Sequence, residues 1–177
     1  MLSGERVRFR KMVKDDAYIY HKWRNDLEVM FSTSPTLDLY SIEETKHFVE
    51  NIILGSSNSK SYIIEDNETN KPIGITSLVN IDVKNRNAEL IIDIGEKSYW
   101  GKGLGTEAVR TILEYAFLEL NFHRISLRVF SLNPKAIHIY TKLGFKQEGV
   151  SRQSLYRNGE WHDIINMSIL KDEYLEI

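Results

Sequence analysis

Trp100-Gly101-Lys102-Gly103-Leu104-Gly105 lies between an apolar, strand-like run, Leu90 to Ile94, and an amphipathic stretch that begins near Thr106. Glycines in this turn let the backbone adopt positive φ and approach a ligand closely. The helix start that follows offers N–H groups without an intrahelical partner and a partial positive charge. A phosphate or diphosphate is the natural guest of such a cradle. Tight strand-to-helix turns also use glycine for steric reasons alone, so the surrounding chain has to decide between the two readings.

Outward from the loop, the pattern alternates between strands and helices. Downstream, Val109, Ile112, Leu113, Ala116, Phe117 and Leu120 recur at three- and four-residue steps and predict a helix packed on a sheet. Arg124 to Phe130 sets Ile125, Leu127 and Val129 against Ser126, Arg128 and Phe130, as a half-buried strand does. Asn133-Pro134 then opens a further helix, with asparagine at the N-cap and proline at the first position, and Gly144 ends it. Asn158-Gly159 joins two strand-like runs, Lys146 to Tyr156 and Trp161 to Leu170, as a hairpin turn.

Upstream, Tyr62 to Glu65, Ile73 to Ile81 and Ala88 to Ile94 read as a meander of three strands. Two helices are expected before them. One is capped by Asp15 or Asp16 and carries Ile19, Tyr20 and Trp23, and one opens on the capping box Ser41-Ile42-Glu43-Glu44. A first strand at Arg6 to Arg10 precedes both.

Composition narrows the chemistry. At 177 residues, with no repeat and no linker longer than Gly55-Ser56-Ser57-Asn58-Ser59, residues 1–177 read as one domain able to bury a full core. Lys plus Arg total 23 against 25 acidic residues, which gives no basic field for nucleic acid. The absence of cysteine excludes a disulfide framework, a thiolate nucleophile and a Cys-based zinc site. The five histidines show no His-x-x-x-His spacing, so no metal is assigned. No run approaches the ~20 apolar residues of a membrane helix, and a cytoplasmic location is the default expectation.

The glycine loop combined with Asn133-x-x-Ala136-x-x-x-Tyr140-x-x-x-Gly144-Phe145 resembles the Gcn5-related N-acetyltransferase (GNAT) superfamily. Within it, Trp23-Arg24-Asn25-Asp26-Leu27-Glu28-Val29, Arg86-Asn87-Ala88-Glu89-Leu90 and Tyr99 to Ala108 resemble the branch of ribosomal-protein (RimJ/RimL-like) and spermidine acetyltransferases. The resemblance implies an α/β (α+β) fold: a mixed, partly antiparallel sheet of about seven strands, splayed between the fourth and fifth, with about four helices. It implies acetyl transfer from acetyl-CoA directly to a primary amine, on a small molecule or a peptide, in a ternary complex. The diphosphate would lie on Trp100, Gly101, Lys102, Gly103, Leu104, Gly105 and Thr106. The pantetheine arm would pair with Ile92, Asp93 and Ile94, and Asn133 would sit near the thioester. Trp100 departs from the Gln or Arg usual at the loop's first position, but the donors there are backbone N–H groups.

Transfer requires an unprotonated amine and a proton for the leaving thiolate. Tyr140 is the candidate donor, since a phenol of reference pKa ~10 stays protonated at neutral pH; packing helix against sheet is the alternative role. Glu89 is the candidate base, with a solvated edge carboxylate as the alternative, and His123 and His138 are less favoured. Glu107, in the first helical turn, reads as structural. Trp23, Arg24, Asn25, Glu28, Tyr156 and Trp161 are expected to line the acceptor cleft. Between Phe31 and Tyr40 only Asp38 is acidic, which counts against a polyamine acceptor. A non-catalytic acyl-CoA sensor is the alternative of another class, and the resemblance leaves a homodimer through a sheet edge open.

Overall fold

Val7 and Phe9 alternate with Arg8 and Arg10 along β1 (Val7–Lys11), so one face of this strand enters the core while both arginines reach Glu65 on its neighbour. The computed structural model describes residues 2–176. β1 pairs antiparallel with β2 (Lys60–Asp66), which continues through β3 (Pro72–Asp82) and β4 (Asn87–Ile94) as the expected meander. Then come β5 (Arg124–Phe130), β6 (Lys146–Arg157) and β7 (Glu160–Leu170), and the sheet order is β1-β2-β3-β4-β5-β7-β6. Asn158 and Gly159 take φ of 51° and 84°, as a two-residue hairpin turn requires.

Among the described residues only one junction is parallel, and it is short. β4 meets β5 through Asn87↔Arg124, Ala88↔Ile125 and Glu89↔Ser126, after which the strands separate. Leu90 to Ile94 therefore keep the edge facing β5 free of strand partners, while β5 pairs with β7 along its whole opposite edge.

Helices cover both faces. α1 (Ala17–Arg24), α2 (Leu27–Phe31) and α3 (Ile42–Phe48) lie on one side, where Ala17, Trp23 and Val49 pack on Ile63 and Ile75. α4 (Leu104–Glu114) and α5 (Pro134–Lys142) lie over the larger core, into which α4 sends Ala108, Val109, Ile112 and Leu113.

Three details differ from the sequence-based expectation. Three helices precede the meander rather than two: Asp26 caps α2 by accepting from the N–H groups of Glu28 and Val29. Asp16 makes no side-chain cap, because its carboxylate is taken by Arg10 at 2.7 Å and by the Val13 N–H. A terminal helix, α6 (Lys171–Leu175), brings the total to six among the described residues, held by Glu173 accepting from Leu170 N–H. The Ser41–Glu44 capping box is present as expected.

Candidate active site

After β4 the chain crosses Gly95, makes one 3₁₀ turn at Lys97–Tyr99 and enters the glycine loop. Gly101 and Gly103 take φ of 74° and 82°, a region that side chains with a Cβ avoid, and α4 starts at once. The loop is fastened from beneath: Glu107 accepts from Arg6 N–H at 2.6 Å and Arg6 Nε at 2.9 Å, and Arg6 Nη1 donates to the Lys102 carbonyl. Burial opposes charge on Glu107, but these donors outweigh it and hold its carboxyl below the usual range. Its role is structural, and it fixes which way the loop faces. Trp100 adds a second fastening, its indole N–H donating to the Ile94 carbonyl at 2.7 Å. The Lys102 ammonium rests over the Tyr99 ring.

Beside the unpaired edge of β4 runs a cleft of about 290 Å³, bounded by Ile92, Asp93, Ile94, Trp100, Gly105, Asn133 and Tyr140. Leu104, the first residue of α4, is buried in the core. Asn133 caps α5 by accepting from Ala136 N–H at 3.1 Å, which leaves its amide NH₂ to the cleft. Tyr140 is fixed edge-on against Phe145, ring centres 5.7 Å apart. Burial pushes its phenol above the ordinary range and the neighbouring Asp93 carboxylate adds to this, so the hydroxyl keeps its proton at neutral pH.

A second chamber, about 310 Å³, opens in the splay between β4 and β5. Glu89 lies in its wall but is committed: Arg128 Nε donates to it at 2.7 Å and Asn80 Nδ2 at 3.1 Å. Both of its carboxylate oxygens are thereby engaged by neighbouring side chains.

Asp93 is the group that sequence reasoning undervalued, because it was named for its backbone alone. Its side chain points toward α1 and α3 and borders the cleft, the splay chamber and a third cavity on the helical face. Burial pushes its carboxyl up to about 6, and a hydrogen bond from Thr33 only partly offsets this. No cation pairs with it among the described residues. The available signal was a lone acid in the apolar run Leu90 to Ile94.

This raised value has a sign for stability. The folded state holds a proton that the unfolded chain releases near 3.8, so Asp93 costs stability progressively as pH rises from about 4 to about 6. Asp93→Asn is expected to raise the unfolding free energy at pH 7.5 by about 1–2 kcal/mol, half of the full linkage value because the cavities admit water. The gain should vanish at pH 4; an equal gain at both pH values in urea titrations would refute the charge as its cause.

The expected acceptor residues are dispersed. Trp23 is 2% exposed, sits in the smaller core under Gly95 and borders no cavity described here. Asn25 ties down the following loop, accepting from Tyr40 N–H and donating to its carbonyl. Glu28 is exposed and paired with Lys97, and Tyr156 packs against Trp161 on the hairpin with the two rings tilted by 58°. Arg24 lies 3.5 Å over the Tyr40 ring and 4.5 Å over Phe48. Of the histidines considered, His138 is exposed and His123 donates its backbone N–H to the Arg86 carbonyl.

Comparison with known proteins gives one consistent answer. The family described as "Acetyltransferase (GNAT) domain" matches residues 6–146. The uncharacterized N-acetyltransferase p20 of Bacillus licheniformis is 32% identical, over 98% of this chain and 97% of that protein. The spermidine N(1)-acetyltransferase of Vibrio cholerae is 30% identical, over 97% of each. The crystal structure of spermidine N-acetyltransferase from Vibrio cholerae with CoA and spermine superposes with a TM-score of 0.88 at 28% identity, covering 97% of this chain and 99% of that one.

Proposed function

The chain belongs to the GNAT acetyltransferase family and is an N-acetyltransferase rather than a non-catalytic sensor, and from this we propose that it transfers acetyl directly to a primary amine with Tyr140 as proton donor. Acetyl-CoA would supply the activated acetyl thioester. The residues present fit it: Gly101 and Gly103 hold the positive-φ cradle at the head of α4, and the edge of β4 has unpaired backbone groups for an extended amide arm. Trp100, Lys102, Gly105 and Thr106 would complete the diphosphate cradle, and the Asn133 amide would face the thioester end.

One observation carries the reading: the open edge of β4, Trp100 and Gly105 from the two ends of the glycine loop, and Tyr140 border a single cleft. Tyr140 Oη, kept protonated by burial, holds the proton needed by a leaving thiolate at the cleft's inner end. The chain has no cysteine to carry acetyl, and in this reading both substrates are bound together. Initial rates of CoA release with acetyl-CoA and amine varied should give intersecting double-reciprocal lines; parallel lines would sink the direct-transfer reading. A polyamine acceptor is the second reading, favoured by the spermidine acetyltransferases among the relatives. A homodimer through one of the two outer strands, β1 or β6, is part of the proposal.

A further inference from the structure

Resting on the acetyltransferase reading, we infer that Asp93 anchors the acceptor's ammonium group and that the acceptor is a compact amine with a single positive charge on an uncharged body.

The cavity on the helical face of the sheet measures about 280 Å³. Its apolar wall is made by Tyr20, Phe48, Ile52, Ile53, Ile75 and Ile91. The polar part of its wall is neutral: Ser61 and Ser77 share a hydrogen bond at 2.8 Å, Thr76 Oγ1 donates to the Ile91 carbonyl, and Asn58 and Asn80 present amides. Asp93 is the only charged residue in this lining.

Asp93 also borders the cleft that holds Tyr140, so it is shared by the linings of the helical-face cavity and of the cleft along the edge of β4. An ammonium held there passes one proton to the Asp93 carboxylate, and the neutral amine so formed sits between the chamber that takes its body and the edge where the cosubstrate would lie. The groups facing Asp93 are Tyr20 from α1, Thr33 from the segment after α2, Tyr140 from α5 and Ile75 from β3, none of them cationic. A carboxylate in such surroundings gains its partner from the ligand, because an ammonium offsets the desolvation the protein leaves uncompensated.

The same inventory argues against a second ammonium. An extended polyamine would place another charge a few carbons deeper, among isoleucines and hydroxyls, without a counter-ion. Against Phe48 lies Arg24, which pairs with no carboxylate among the described residues and would repel it. The nearest other acid in the splay, Glu89, is occupied by Arg128.

The test compares kcat/KM for 2-phenylethylamine, 6-amino-1-hexanol, spermidine, spermine and a tripeptide with a free N-terminus, in wild type and Asp93→Asn. A monoamine should exceed spermidine and the tripeptide by at least about tenfold, and Asp93→Asn should cost that monoamine about 100-fold, near the loss of a buried charge-assisted contact, with acetyl-CoA binding retained. Because that variant is expected to be more stable, unfolding does not explain a loss. Preference for spermidine or for the tripeptide, or an Asp93→Asn effect within threefold, overturns the inference while leaving the enzyme reading intact. If no amine is acetylated, calorimetry of the two monoamines with CoA bound separates the readings: binding abolished by Asp93→Asn supports the chamber and sinks the chemistry, whereas no binding sinks the inference too.

Discussion

Tyr140→Phe is expected to lower kcat by about 10²–10³-fold while changing acetyl-CoA affinity by less than about threefold. The substitution removes one oxygen and keeps the ring, so the edge-on contact with Phe145 and the packing of α5 survive. What is lost is the proton that burial keeps on the phenol at neutral pH. A contact made only as the thiolate departs lowers kcat and kcat/KM together. CoA release at saturating substrates, with calorimetry for the binding step, makes the distinction. A turnover number within threefold of wild type would remove Tyr140 from the reaction and return it to the packing role.

Gly95→Ala should destabilise the fold by about 2–3 kcal/mol, at the upper end for overpacking. A Cβ at this position would lie 2.2, 2.3 and 2.6 Å from three atoms of the Trp23 indole. That indole is 2% exposed and donates through Nε1 to Glu96 at 2.9 Å, so it can move only by breaking its hydrogen bond and its core contacts together. Gly149→Ala is the matched control, since a Cβ there meets nothing within 4 Å and no positive φ is required. Urea midpoints should separate the two variants clearly; similar midpoints would mean the region around α1 repacks more easily than the geometry implies.

The frame of the molecule was legible because its signals are local. The glycine loop, the Asn133-Pro134 helix start, the Asn158-Gly159 turn and the alternation of β5 each depend on a few neighbouring residues, and each stands where the pattern placed it, apart from the burial of Phe130 on the outward side of β5. α2 escaped notice because five residues are too few to show a helical period, and Asp26 as its cap was the only cue. The acceptor side was harder to read because it depends on which side chains meet across distant elements. Trp23 has the composition of a binding residue, yet its position beneath Gly95 consumes it as core. Glu89 has the chemistry of a base, yet Arg128, 39 residues later, neutralises it. Asp93 sits in a run that reads as ordinary strand, and only the helices folded over it reveal that its charge has no partner.

The three-pair contact between β4 and β5 makes the sheet two leaves held at a narrow seam. An extended ligand laid along Leu90 to Ile94 would bridge them as an additional strand, binding the assembled leaves and not the unfolded chain. By mass action such a ligand at about 100 times its dissociation constant adds about 2.7 kcal/mol. The melting temperature of this enzyme then becomes a gauge of how much cosubstrate surrounds it, and a chain starved of that cosubstrate unfolds more readily than one at work.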